Sequence, residues 1–171
     1  MANHLEDLTA EWLKFNGYFV RKSVLVGRRA KGGYEGELDV IGFHPVRKHL
    51  LHIECSLDAD TWQRREERFT LKFERGQKFI PDLFHGISAE SQLDQVALFG
   101  FGGGDRPSVG GGRIVWVADM VADILDALSL KHPAKAAVPS TLPLLRTLQL
   151  AAHAKRKPDM SKPLIDLDLI S

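Results

Sequence analysis

The order of apolar and polar positions near the N-terminus predicts a helix followed by three strands. The apolar positions of the helical stretch recur at three- and four-residue intervals, namely Leu5, Leu8, Trp12 and Phe15. This spacing predicts an amphipathic helix over 3–16, with Asn3 as the N-cap and Gly17 as the stop. Glu6, three residues after Asn3, makes the pair a near-match to a capping box. Runs rich in β-branched and aromatic residues then predict strands over 18–26, 37–43 and 50–56.

The rest of the chain continues the alternation of helices and strands. Helical patterns cover 61–76, 120–130 and part of 139–154, and strand patterns cover 95–101 and 113–117. Seven of the 15 glycines lie in 100–112, which predicts a surface loop. The order α-β-β-β-α-β-β-α indicates an α/β fold with a mixed central sheet flanked by helices. We expect a single domain over 1–154 and a basic, irregular C-terminal tail over 155–171.

Composition and charge are those of an ordinary globular domain. The 171 residues are 44% hydrophobic and 26% charged, which is ordinary for a globular domain and excludes a collagen-like or disulfide-rich chain. Because the net charge is only +1, any binding to nucleic acid has to come from a local patch. The single cysteine, Cys55, suits a reducing compartment. With no signal-peptide pattern and no apolar run of about 18 residues, we expect a cytoplasmic protein without a membrane partner.

Two acidic residues stand within apolar strand patterns. Asp39 lies among Leu38, Val40 and Ile41, and Glu54 lies in the next predicted strand. A carboxylate in such a setting is costly to bury unless it is paired or binds a cation. Two carboxylates on adjacent strands form the kind of oxygen site that Mg²⁺ prefers. The alternatives are that the two acids lie at strand ends in water, or that they pair with arginines.

Three segments taken in order resemble a known family. LEDLTAEWLKFNGY, EGELDVIG and HLLHIECS are similar to the PD-(D/E)XK nuclease superfamily, near its small members related to archaeal Holliday-junction resolvases. The resemblance covers about residues 5–75 and implies a restriction-endonuclease-like fold. It also implies a nuclease dependent on Mg²⁺ or Mn²⁺ that cleaves nucleic acid, with DNA favoured, and it leaves a homodimer open.

The resemblance assigns roles to individual residues. Asp39 and Glu54 match the metal-binding acids of the family, and Glu6 matches the acid on its first helix. A capping role for Glu6 at the start of that helix explains it equally well. His49 and His52 are expected to point to opposite faces of their strand, so they are not expected to hold one metal together.

The chain departs from the family at the motif lysine, where it has Ser56. A serine hydroxyl can position water but carries no positive charge. In some members of the superfamily the lysine lies on the following helix, and Lys72 is the best candidate here because it shares a helical face with Arg65 and Phe69. The competing interpretation is a lysine that lies over the apolar surface of that helix.

A basic run forms the candidate nucleic-acid contact. Its five cations have no acid among them and are Arg21, Lys22, Arg28, Arg29 and Lys31. Such a run can hold a phosphate backbone. Two functions follow from the sequence: a nuclease, or a catalytically degenerate member of the same fold that binds nucleic acid or a protein partner without cleaving it.

Overall fold

Helices and strands alternate along the chain in the computed structural model, which describes residues 4–84, 92–102 and 105–154. The elements are α1 (His4–Phe15), β1 (Phe19–Arg28), β2 (Tyr34–His44), β3 (His49–Ser56), α2 (Trp62–Leu83), β4 (Gln92–Phe99), β5 (Ser108–Val109), β6 (Gly112–Trp116), α3 (Val117–Ser129) and α4 (Pro143–Ala154). The chain divides into two compact units, residues 1–124 and residues 125–171. The prediction of one domain over 1–154 stays a prediction, and the predicted tail over 155–171 lies outside the described residues.

The first unit is built on a six-stranded mixed sheet in the order β1-β2-β3-β4-β6-β5. The first three strands pair antiparallel, β3, β4 and β6 run parallel, and β5 pairs antiparallel with β6. Parallel strands require a crossover connection, and the 22-residue α2 provides it between β3 and β4. The predicted α/β class with a mixed sheet flanked by helices is thereby confirmed.

Helices cover both faces of the sheet, and successive side chains of β3 point alternately to one face and the other. Leu51 and Ile53 line an apolar cleft together with Trp12 of α1 and Met120 of α3. The intervening residues His52 and Glu54 face α2 instead. This alternation is the two-residue period of a strand buried on both sides.

The β1–β2 ladder is distorted beside one of the predicted acids. Lys22 pairs with Val40 and Val24 pairs with Leu38, with no pair between them where Ser23 faces Asp39. Ser23 has a φ of 49°, in the left-handed region that residues other than glycine rarely occupy. Such strain costs on the order of 1–2 kcal/mol and is commonly found at functional sites.

The elements differ most from the predictions at α2 and at β5. α2 continues seven residues past Gly76, because this glycine is a site of close packing and not a stop. The two-residue β5 lies inside the glycine-rich segment, where no apolar alternation signals it. The helical patterns over 120–130 and in 139–154 both form helices, α3 and α4. With these two helices and β5 counted, the observed order is α-β-β-β-α-β-β-β-α-α in place of the predicted α-β-β-β-α-β-β-α. The capping residue Asn3 lies outside the described residues.

The second unit is organised around a buried glutamine on α4. Gln149 accepts a hydrogen bond from the Val138 amide at 2.9 Å and donates to the carbonyls of Lys131 and Ala136. These three bonds tie the segment before α4 to the helix. Within the parts of the chain that the structure covers, no helix has the length and apolar character needed to cross a membrane.

Candidate functional site

The two predicted acids lie side by side in the centre of the sheet. Val40 of β2 pairs with Ile53 of β3, which makes Asp39 and Glu54 neighbours at the next position of the ladder. Asp39 Oδ2 accepts a hydrogen bond from the Cys55 amide at 2.9 Å, and this bond turns its carboxylate toward β3. Both carboxylates are largely removed from water, since the Glu54 side chain is fully buried and that of Asp39 is 13% exposed.

A lysine from α2 lies between these carboxylates. The Lys72 ammonium is 3.2 Å from Asp39 Oδ2 and forms an ion pair with Glu54 Oε2. Burial lowers the pKa of Lys72, but the charges of Glu54 and Asp39 outweigh it and hold the pKa above its ordinary value. The structure therefore brings together three of the residues that the sequence predicts for the site.

The two acids respond to this environment in opposite directions. Burial, with the charge of Glu54 added, raises the pKa of Asp39 to about 7, although Lys72 opposes the shift. Burial would also raise the pKa of Glu54, but the hydrogen bond from His52 and the charge of Lys72 hold it below its usual value. The surroundings thus favour the charged form of Glu54 but not that of Asp39, and a cation placed beside Asp39 would favour its ionised form.

The raised pKa of Asp39 predicts an unusual pH dependence of stability. Between about pH 4 and pH 7 the unfolded chain loses a proton that the folded Asp39 keeps, so this residue's contribution to the free energy of unfolding falls as pH rises. We expect Asp39→Asn, without divalent metal, to gain stability relative to wild type by up to about 1.4 kcal/mol per pH unit over this range. Urea denaturation at several pH values measures the difference, and a difference that is independent of pH would contradict the prediction.

Helix α2 faces β3 at four-residue intervals. Arg68 Nη2 donates to Ser56 Oγ at 2.8 Å, Lys72 pairs with Glu54, and Gly76 lies against the ring of His52. Residues four apart lie on one face of a helix, and residues two apart lie on one face of a strand. Arg68 and Lys72, one turn apart on α2, therefore contact Ser56 and Glu54, two residues apart on the face of β3 that is turned to the helix.

The serine at the family's lysine position is held in a polar cluster. Besides accepting from Arg68, Ser56 Oγ accepts a hydrogen bond from the Asp58 amide at 3.3 Å. Arg68 is in turn paired with the carboxylates of Asp58 at 2.7 Å and Asp60 at 3.0 Å. These bonds organise the connection between β3 and α2, and a catalytic role for Ser56 stays a prediction.

Glu6 of α1 lies close enough to Cys55 of β3 for its charge to act on the thiol. Burial raises the pKa of the Cys55 thiol, and the charges of Asp39 and Glu6 add to this shift. A thiol held protonated in this way is a poor nucleophile. Glu6 on α1 therefore lies within electrostatic reach of the residue that follows Glu54, and its catalytic role stays a prediction.

The predicted basic run follows the edge strand β1 and the turn after it. Arg21, Arg28, Arg29 and Lys31 are exposed, whereas Lys22 forms an ion pair with Asp7 of α1. One of the five cations is therefore neutralised by an acid that is distant in the sequence. Arg28 pairs with Tyr34, five residues before Asp39, which places it about 16 Å along the strand from the acids.

The donor set suits a hard cation better than zinc. Among the described residues there is no group of three or more His, Cys, Asp and Glu side chains placed to hold a metal ion. Mg²⁺ commonly binds through one or two carboxylates and keeps several waters. The Asp39–Glu54 pair, which already contacts the Lys72 ammonium, fits such an ion.

Three residues that contact the site are not among those that the sequence predicts for it: His52, Gln95 and Arg68. His52 Nε2 is 2.8 Å from Glu54 Oε1, and both side chains are fully buried. The available signal was its position two residues before Glu54, which places both on one strand face. Arg68 could be found from its four-residue spacing to Lys72, whereas Gln95 comes from a distant strand that carries no such signal.

No family model matches the sequence, and no curated protein matches it. A solved structure titled "Crystal Structure of Protein of Unknown Function AF1548" aligns with a TM-score of 0.43 and 10% sequence identity. The alignment covers 88% of this chain and 96% of that chain.

Proposed function

We propose that this protein is a nuclease that depends on Mg²⁺ or Mn²⁺ and hydrolyses phosphodiester bonds of nucleic acid. The observation that carries the proposal is the contact of the Lys72 ammonium with the carboxylates of both Asp39 and Glu54. Two acids for a metal and one cation for a phosphate are the groups that phosphoryl transfer requires. The proposal includes the restriction-endonuclease-like fold, which the arrangement of the β2–β3 hairpin, α2 and parallel β4 supports.

The acidic and basic residues of the site have different proposed roles. Asp39 and Glu54 would hold the divalent ion, which when bound activates water and stabilises phosphoryl charge. Lys72 extends from α2, which covers these strands, so its ammonium lies beside the carboxylates. There it can form an ion pair with a phosphate oxygen of the substrate. A preformed cation of this kind stabilises the charge that develops in the transition state.

The exposed basic run supplies the surface for the rest of the substrate. A distance of about 16 Å from Arg28 to the acids corresponds to about five base pairs of B-form DNA. A duplex whose scissile phosphate lies at Lys72 could therefore reach the β1–β2 turn. We propose DNA as the substrate because the family that residues 5–75 resemble implies it, and the single cysteine, the buried Cys55, accords with a reducing cytoplasm.

A cleavage assay tests the proposal on the full chain. We expect cleavage of linear duplex, single-stranded or branched DNA that requires Mg²⁺ or Mn²⁺, with RNA as a comparison. Glu54→Gln keeps the shape of the side chain but removes the charge, so we expect it to lose at least about a hundredfold of the rate. Glu74→Gln makes the same change at an exposed position of α2 and should retain activity.

Binding measured in the same samples separates the two candidate functions. Binding that falls with salt, without cleavage at any metal concentration, would favour the degenerate, non-cleaving protein; Ser56 at the lysine position is the observation behind that alternative. A wild type that neither binds nucleic acid nor melts at a higher temperature with millimolar Mn²⁺ would contradict the proposed function.

A further inference from the structure

A chain of buried polar side chains lies behind Glu54, on the side opposite Lys72. His52 Nε2 is 2.8 Å from Glu54 Oε1, and His52 Nδ1 is 3.1 Å from Gln95 Nε2. Gln95 also donates to the Phe73 carbonyl at 2.9 Å, and its Oε1 accepts from Gln77 Nε2 at 2.9 Å. The chain thus joins β3, β4 and α2, and it ends at an exposed glutamine.

The hydrogen bonds of this chain fix the tautomer of His52. The Phe73 carbonyl can only accept, so the amide of Gln95 must present its nitrogen to it. The second hydrogen of that nitrogen then points at His52 Nδ1, which must accept. The remaining hydrogen of the neutral imidazole lies on Nε2 and is donated to Glu54.

The imidazole of His52 is tightly packed between β3 and α2. His52 and Glu54 are both fully buried, and Gly76 of α2 lies directly against the ring. A Cβ at position 76 would overlap His52 Nδ1, so glycine is required for the helix to close over the histidine. The rings of His52 and Phe73 are perpendicular to each other, with their centroids 5.7 Å apart.

We propose that His52 is a positioning residue for the metal-binding carboxylate. It donates from Nε2 to Glu54 Oε1 in the tautomer that Gln95 imposes, so that Oε2 stays directed toward Asp39 and Lys72. The inference rests on the proposed function, because it assigns the orientation of a ligand in that same site. Outer partners of this kind typically change metal affinity or activity by 10- to 100-fold when they are removed.

Two matched substitutions separate positioning from packing. In His52→Gln the side-chain amide nitrogen replaces the imidazole Nε2–H and can still donate to Glu54. In His52→Asn the shorter amide can still accept from Gln95 but does not reach Glu54. Mn²⁺ affinity is measured from the metal-dependent rise in melting temperature, and the rate and KM are measured on the DNA that wild type cleaves.

We expect His52→Asn to lose about 10- to 100-fold in Mn²⁺ affinity and in kcat with little change in KM, and His52→Gln to stay within about fivefold of wild type. Equal losses of Mn²⁺ affinity and kcat in the two variants, or no loss in either, would overturn the inference. The proposed function would still stand if wild type binds metal. Absence of metal binding by wild type would overturn both.

Nitrogen NMR of wild type gives a readout that requires neither variant to fold nor metal to bind. Long-range proton–nitrogen spectra distinguish a protonated Nε2 from a protonated Nδ1 in a buried histidine. We expect the Nε2–H form for His52. The Nδ1–H form would overturn the inference even if the enzyme proves to be a metal-dependent nuclease.

Discussion

Lys72→Met should abolish cleavage and at the same time increase the response of the protein to divalent metal. The loss of rate, at least about a hundredfold, follows from removing an ammonium that contacts both carboxylates. Metal binding should tighten because a divalent ion no longer competes with that ammonium for Asp39 and Glu54. Without metal, the variant should be less stable by about 3 kcal/mol, since two buried acids lose their partner.

Melting curves with and without Mn²⁺, together with the cleavage rate, measure these three effects. Lys78→Met removes a lysine from the same helix whose partner is the exposed Glu35, so we expect it to change none of them by more than a small amount. A Lys72→Met protein that cleaves at the wild-type rate would exclude Lys72 as the cation of the site. Cleavage created by Ser56→Lys in an inactive wild type would do the same and would identify a degenerate nuclease.

The parts of the fold that sequence predicts are those where local pattern and tertiary packing agree. The apolar spacing of α1 and the apolar runs of β2 and β3 are local signals, and these elements form within a few residues of the predicted bounds. The predicted bounds of 61–76 end the helix seven residues too early, at a glycine, Gly76, that lies inside the observed α2. Only its contact with His52, which lies 24 positions away, explains why the helix continues.

The residues of the candidate site that could be predicted are likewise those with a local sequence signal. Asp39 and Glu54 were predictable because acids within apolar strands are costly, and Lys72 was predictable because helical spacing gives it a face. The hydrogen bond from His52 depends on the strand alternation and on Gln95, which comes from another strand, so it required the structure. The ion pair between Lys22 and Asp7 is a long-range contact of the same kind, and it removes one charge from the basic run.

Binding of nucleic acid should depend steeply on salt, and the reversal of two arginines should flatten that dependence. Arg28 and Arg29 are exposed at the β1–β2 turn and have no ion pair among the described contacts of that turn. Each phosphate contact adds about 0.9 to the slope of log affinity against log salt, so Arg28→Glu with Arg29→Glu should lower the slope by about two. At about 50 mM salt the affinity should fall roughly a hundredfold.

The matched control reverses two cations at the opposite end of the same hairpin. Arg47 and Lys48 follow the last residue of β2, about 30 Å from Arg28, and Arg47→Glu with Lys48→Glu makes the same change in net charge. If binding follows net charge alone, the two double variants should lose the same affinity and slope, and the assignment of the basic run as the phosphate-binding surface would be wrong. A loss confined to the Arg28 and Arg29 variant places the phosphate backbone on β1, because only a local contact distinguishes two proteins of equal charge.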